Sequence, residues 1–168
     1  QYFCTHYITM DGDEIFIPEE FKKAKEIVYD YDYLASFIFS KTYYKTKNHI
    51  VYPPETYHIP FIYKITAGKF KLDAKIEGII ADKSRKMTDI EKDFIVFDRE
   101  YIEMHHLCYL RNDLKRKLEN KASNLSNERI EIIMNSFNNF DENKIDQSVI
   151  TENGYFNIRK LQESGIWK

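Results

Sequence analysis

Apolar and polar residues alternate along KFKLDAKIEGII, residues 69–80. Phe70, Leu72, Ala74, Ile76, Gly78 and Ile80 fall on one side of an extended chain, and Lys69, Lys71, Asp73, Lys75 and Glu77 on the other. A period of two predicts a strand with one packed face, the pattern of an antiparallel sheet. Just upstream, YHIPFIYKI and the turn Thr66-Ala67-Gly68 complete a predicted hairpin over about 57–80, with Pro60 suggesting an edge position. A second hairpin is expected to start the stretch of about 5–30, where Asp11-Gly12 separates YITM from DEIFI. Asn153-Gly154 marks one more tight turn.

Elsewhere the apolar spacing is three and four. Pro18, Glu19 and Glu20 suit a first helical turn, and Phe21, Ala24, Val28, Tyr31, Ala35 and Ile38 carry a stripe that predicts a helix over about 18–42, with a break near Asp30 or Asp32. KTYYKTKNH reads as a polar, basic connector closed by Pro53-Pro54. Thr88-Asp89-Ile90-Glu91 has the form of a capping box, and Ile90, Phe94, Phe97, Tyr101, Met104 and Cys108 follow it at helical spacing. With Leu110, Leu114 and Leu118 the stripe predicts a long helix over about 89–121, kinked near Asp98 or His105. Ser126 can cap a helix over about 127–139 that turns Ile130, Ile133, Met134 and Phe137 inward, and NIRKLQESG reads as a short closing helix. The expectation is one α+β domain over 1–168, an antiparallel sheet of hairpins packed against several amphipathic helices.

Composition narrows the function more than it defines it. Among 168 residues, 25 basic and 27 acidic side chains leave a formal charge of −2, so no global field draws the chain to nucleic acid or to an anionic membrane. No run approaches the roughly 18 to 20 apolar residues that span a bilayer, and no basic-then-apolar leader opens the sequence. Two cysteines, Cys4 and Cys108, suit a reduced cytoplasmic or other intracellular setting better than a secreted disulfide scaffold. Gln1 suggests a trimmed chain. Heavy use of Ile, Lys, Asn and Tyr points to an A/T-rich source such as a virus or mobile element.

Three stretches carry candidate chemistry, each beside a plainer reading. Pro54-Glu55, a hairpin, and then Asp73-Ala74-Lys75 on one strand face follow the order that PD-(D/E)xK nucleases use. The likeness resembles that family over about twenty residues and implies Mg²⁺ held by Glu55 and Asp73, with Lys75 steadying water or phosphate and Glu77 as an extra acid. Glu55 stands where Asp is usual, and the plainer reading is a wetted row of alternating charges. Arg99 lies six and seven positions before His105 and His106 in REYIEMHH, a separation similar to the Arg-to-His signature of HEPN ribonucleases. That resemblance implies acid–base work at a 2′-hydroxyl and its phosphate. Here Glu100 follows the Arg where a small polar residue is common; the plainer reading is a helix surface. FDENKID opens like a calcium loop, but Ile145 and Asp146 replace the fifth ligand and the glycine that an EF-hand requires, leaving a polar loop. Cys4 and His6 lack an orienting acid, the five histidines show no zinc spacing, and no Gly-rich phosphate loop occurs.

Tyrosine is the remaining excess, 13 in all. Tyr29, Tyr31 and Tyr33 alternate with Asp30 and Asp32, and Tyr43 and Tyr44 follow. Tyrosine combines a large contact area with a polar tip, which favours recognition of partners. The balance of the sequence favours a non-catalytic interaction or regulatory module that binds a protein through Tyr29, Tyr31, Tyr33, Tyr43 and Tyr44, without a cofactor. Nucleic acid is the less favoured partner. A small Mg²⁺-dependent nuclease is the alternative, and oligomeric state stays open.

Overall fold

The computed structural model describes residues 4–65, 74–120, 125–144 and 147–161. Helix and mainly antiparallel sheet are mixed, as expected of an α+β chain. The chain forms two compact units, where the sequence suggested a single domain: residues 1–40 with 55–105, and 41–54 with 106–168.

In the first unit, β1 (His6–Ile8) pairs antiparallel with β5 (Ile59–Lys64), which pairs antiparallel with the start of β3 (Ala35–Tyr44). β6 (Phe94–Val96) joins β3 in parallel. α1 (Pro18–Asp30) packs Ala24 and Val28 onto one sheet face with Ile38, Phe61, Ile62 and Met104. On the opposite face Phe37 and Tyr63 pack with Ile76, Ala81 and Ile90.

Several expectations fail here for identifiable reasons. The helix predicted over 18–42 ends at Asp30. Asp32 adopts φ 55°, and the Tyr33 and Asp32 amides bond back to the Val28 and Tyr29 carbonyls at 3.1 and 3.2 Å. That is a Schellman closure with Asp where Gly is usual, tolerated because a short polar side chain accepts the left-handed region. Beyond it, ASFIFSKTYY is strand. Of the helix predicted over 89–121 only Leu114–Glu119 is helical: Asp93 at φ 58° cannot sit inside a helix, and its flanks become β6 and β7 (Glu103–Tyr109). So dense an apolar run matches a period of 3.6 and an extended chain equally. The Asp11-Gly12 turn is present, but β1 pairs β5 and β2 (Glu14–Ile15) pairs β7, so no hairpin joins them.

Of the hairpin predicted over 57–80, residues 66–73 lie outside the described residues. Residues 74–80 contribute one isolated parallel bridge, Ile76 with Ile90, and Gly78 turns at φ 78°. β5 is flanked by strands on both sides, not at an edge. Its Pro60 lies where the register to β3 shifts, between pairs Ala35–Tyr63 and Phe37–Pro60, and the extra residue leaves ladder groups unmatched. The buried Ser36 hydroxyl takes the Ile62 amide at 3.1 Å and returns a bond to the Ile62 carbonyl at 3.4 Å.

In the second unit, the run expected as a connector is a hairpin. The end of β3 turns through Lys45, at φ 59°, into β4 (Thr46–Tyr52). β4 pairs with β9 (Gly154–Lys160), which pairs with β8 (Ser148–Thr151) across the predicted Asn153-Gly154 turn, so Asn157–Lys160 are strand and not the expected short helix. α2 (Leu114–Glu119) and α3 (Asn127–Asn138) complete the unit, and the Ser126 hydroxyl caps α3 as expected. Leu114, Leu118, Ile130 and Ile133 pack with Tyr44, Val51, Val149 and Ile158. None of the three α-helices among the described residues is long and apolar enough to cross a membrane.

Arg85 ties the first unit together electrostatically. Its guanidinium meets the Glu14 carboxylate through both terminal nitrogens, reaches Asp11 at 2.7 Å and lies 3.7 Å from Asp82, while Glu14 is almost wholly buried. Burial works against the charge on Arg85, but Glu14 and the two aspartates outweigh it and raise its affinity for the proton. Arg85→Met should destabilise the protein by about 3 to 5 kcal/mol in urea unfolding, because Glu14 is left buried and unpaired. Adding Glu14→Leu should recover part of that loss.

Candidate functional site

Two candidate residues that the sequence assigned to different chemistries meet around one guanidinium. Arg99 lies in the turn before β7, where the Tyr101 and Ile102 amides bond to the Asp98 carbonyl. Its side chain donates to the Ser40 carbonyl at 2.8 Å, to the Glu103 carboxylate at 2.8 Å and to the Glu55 carbonyl. The Glu55 carboxylate accepts from the buried Ser40 hydroxyl at 3.0 Å. The face of the guanidinium covers Phe39, 4.3 Å from the ring centroid, and His58 packs against the same ring with centroids 4.5 Å apart. A planar cation with five donors suits this task, since it satisfies two carbonyls and a carboxylate while stacking on an aromatic.

This arrangement clamps the chain at Ser40, Glu55 and Glu103, and its geometry is that of a structural tie. Arg99 bonds to neither His105 nor His106. The two histidines are successive residues of a strand, so they point to opposite faces, with His105 buried in the first unit. The helix that would have presented Arg99 and a histidine together does not exist. Of the nuclease set, Glu55 is half-buried in the clamp, Asp73 lies outside the described residues, and Lys75 is exposed, its backbone amide bonding to Asp89 at 2.8 Å. Glu77 is exposed. Among the described residues no three of His, Cys, Asp and Glu are grouped to hold a metal ion. In FDENKID, Asp141 is used within its own loop, accepting from the Asn143 amide at 3.0 Å.

The tyrosines divide. Tyr43 and Tyr44, expected at a partner surface, are buried because β3 is covered on both faces; Tyr44 packs between Tyr109, Phe137 and Phe140. That burial pushes its hydroxyl up to about 12. At the end of α1, Tyr29 and Tyr31 are 45 and 72% exposed. Tyr31 stacks on half-buried Tyr33 with centroids 6.0 Å apart, and Tyr29 tilts onto His6 of β1 at 4.2 Å. Beside them Asp32 pairs with Lys64 at 2.6 Å, and Ile8 is partly open, 37% exposed. Burial, then the Lys64 charge, lowers the His6 pKa, so the ring on Tyr29 is neutral at physiological pH.

Sequence reasoning missed the Arg85 and Arg99 centres, since ties between residues 40 to 70 positions apart leave no local pattern. It also missed the sheet of β4, β8 and β9. There a signal existed: GYFNIRK alternates with a period of two, Phe156 and Ile158 on one face and Tyr155, Asn157 and Arg159 on the other. No protein-family profile, curated protein or solved structure matches the chain.

Two outcomes follow. Arg99→Lys keeps the charge but not the fork, so it should lower Tm measurably, and Arg99→Ala should lower it further by removing the ion pair with buried Glu103. His49 is 4% exposed, hydrogen-bonded at Nδ1 to Thr46 at 2.6 Å, and burial lowers its pKa. A pKa depressed by folding means that the unfolded chain binds the proton more tightly. Stability should therefore fall as pH drops from about 7.5 to about 5.5, through the ordinary histidine value of about 6.5. His49→Gln should flatten that part of a urea-midpoint against pH curve.

Proposed function

We propose that the chain is a non-catalytic interaction module that binds a protein partner through the exposed aromatic surface at the end of α1 and along β1. The observation that carries this reading is the exposure of Tyr31 and Tyr29 at the end of α1, in a place where each ring is already held, with partly open Ile8 two residues along β1 from His6. Tyr31 leans on Tyr33 and Tyr29 on His6, so little side-chain entropy is left to lose on binding. Among the described residues β1 is bonded to β5 along one edge and ends the path of paired strands, which sets a strand edge near the rings. Asp32 and Lys64 set a polar rim next to the apolar centre, the usual composition of a recognition patch. Neither Cys4 nor Cys108 is in a disulfide, in keeping with a reduced, intracellular setting.

Two of the groups that a catalytic reading needs are engaged otherwise. Arg99 holds the Ser40 and Glu55 carbonyls and the Glu55 carboxylate accepts from the Ser40 hydroxyl, which supports placing binding before chemistry.

The test is comparative affinity capture from an extract of the source cells, with wild type and the Tyr29→Ser/Tyr31→Ser double variant immobilised side by side. A protein retained by wild type should bind the double variant about tenfold or more weakly when the purified pair is titrated, at unchanged Tm. If no protein distinguishes the two, this surface is not the binding site. Mg²⁺-dependent cleavage of DNA or RNA that disappears in Lys75→Ala would put the nuclease alternative in its place.

A further inference from the structure

Register shows which main-chain groups β1 turns outward. The Ile65 amide donates to the Thr5 carbonyl at 2.7 Å, and His6 stands opposite Lys64. Bonded and non-bonded pairs alternate along an antiparallel ladder, so Thr5 and Tyr7 turn their amides and carbonyls to β5, while those of His6 and Ile8 point away from it. The bonds of β5 agree. Its Ile62 amide goes to the Ser36 hydroxyl and its Lys64 amide to the Leu34 carbonyl, both on the β3 side. Among the described residues no strand pairs with the outer side of β1.

Sheet edges are ordinarily guarded against pairing by a charge or a proline. Neither occurs here: from Gln1 to Met10 there is no Lys, Arg, Asp, Glu or Pro, in a chain that is 31% charged. Two copies of this edge can therefore approach without like charges meeting. The side chains beside it are partly open as well. On the face that carries His6 and Ile8, Ile8 is 37% exposed, and Tyr29, 45% exposed, tilts onto His6 with centroids 4.2 Å apart. On the opposite face Tyr7 stacks on Tyr63 of β5 at 5.3 Å.

We propose that β1 pairs antiparallel with β1 of a second copy about a two-fold axis at Tyr7, so that the protein partner of this surface is the chain itself. The inference rests on the reading of the α1 and β1 surface as protein-binding. With the axis at Tyr7, His6 of each copy stands opposite Ile8 of the other. These are the residues whose main-chain groups face outward, so each couple exchanges both N–H···O bonds. The same register matches the side chains. Ile8 of one copy lies beside the His6–Tyr29 stack of the other, at about 5.5 Å between Cα atoms, and each open group covers its counterpart. On the reverse face Tyr7 meets Tyr7 of the second copy at about 4.5 Å between Cα atoms and continues the row that starts at Tyr63. The Asp32–Lys64 pair stands one strand in from the axis. That reciprocity selects a second copy over an unrelated segment, which would have to bring an apolar residue to Tyr29 and an aromatic to Tyr7 in the same register. β1 is only three residues long, so the interface is small and the dimer weak, with a Kd on the order of 10 to 100 µM.

The test is sedimentation velocity of the whole chain from about 1 to about 500 µM, a range that brackets such an affinity. Wild type should pass from monomer to dimer. Ile8→Lys sets a charge on the edge without removing a bond to β5 and should stay monomeric throughout. Tyr29→Ser should weaken dimerisation about tenfold. In a Cys4→Ser background, Tyr7→Cys should form an intermolecular disulfide under mild oxidation, because the axis brings the two Cβ atoms within bonding reach, whereas Thr9→Cys should not. Circular dichroism verifies that each variant is folded. The proposal is overturned if wild type stays monomeric at every concentration, if Ile8→Lys dimerises like wild type, or if folded Tyr7→Cys cross-links no better than Thr9→Cys. Any of these results leaves the broader reading standing when a different protein, captured by wild type, binds the Tyr29→Ser/Tyr31→Ser variant more weakly.

Discussion

Strand β3 must be hydrogen-bonded along its edges and buried on both faces, and most of the fold follows from meeting that demand. Its sequence, ASFIFSKTYY, has no Gly, Pro or acid, and apart from Phe39 and Lys41 every residue is buried. Such a strand reads as a near-continuous apolar run because neither face can be left to water. From Ala35 to Ser40 it belongs to the first unit, with β5 and β6 as partners; from Lys41 it belongs to the second, with β4. Two serines make the burial tolerable. Ser36 supplies the bonds that the Pro60 irregularity removes from the ladder, and Ser40 turns its hydroxyl to Glu55 and its carbonyl to Arg99. A buried amide or carbonyl without a partner would cost about 1 to 3 kcal/mol, so each of these small side chains matters beyond its size.

The same need accounts for the engagement of Arg99, a catalytic candidate in the sequence, and of Arg85. Arg99 and Arg85 each sit where several chain segments converge, and each satisfies acceptors that water does not reach easily. Lysine would neutralise the same carboxylates as a point charge but could not bridge carbonyl, carboxylate and ring in one plane. Candidate catalytic residues chosen by type and spacing are thus recruited first by the fold. Among the described residues, Tyr29, Tyr31 and Tyr155 remain open to solvent.

What was legible in the sequence was local and strongly signalled. α1 begins at Pro18 and stops at the aspartates flagged as its break, α3 follows its serine cap, and the Asn153-Gly154 turn joins two strands. The errors concentrate where apolar residues are dense. In both LASFIF and FIVFDREYIEMHHL, hydrophobic positions at spacings of three and four are also a strand pattern buried on two sides, and the tie is broken only by partners distant in sequence. Asp32, Lys45 and Asp93, all at positive φ, set the ends of these elements without a glycine to announce them. The candidate site was read less well than the fold. Tyr29 and Tyr31 are open, but Tyr43 and Tyr44 went into the core with the strand that carries them.

A net charge near zero concealed how unevenly the charge is placed. Carboxylates are spent inside the first unit, where Glu14, Asp11 and Asp82 surround Arg85, Glu103 meets Arg99 and Asp32 holds Lys64. On β4, β8 and β9 none occurs, and the cations there face solvent without a carboxylate from those strands. Screening confines a surface charge to about 8 to 10 Å at physiological salt, so an approaching ligand responds to the local sign and not to the sum over the chain. A formal charge of −2 argues against long-range attraction of polyanions; it says nothing about a face about three strands wide. Composition therefore argues against steering by the whole molecule and leaves contact with any one face to be decided by which residues the register places side by side.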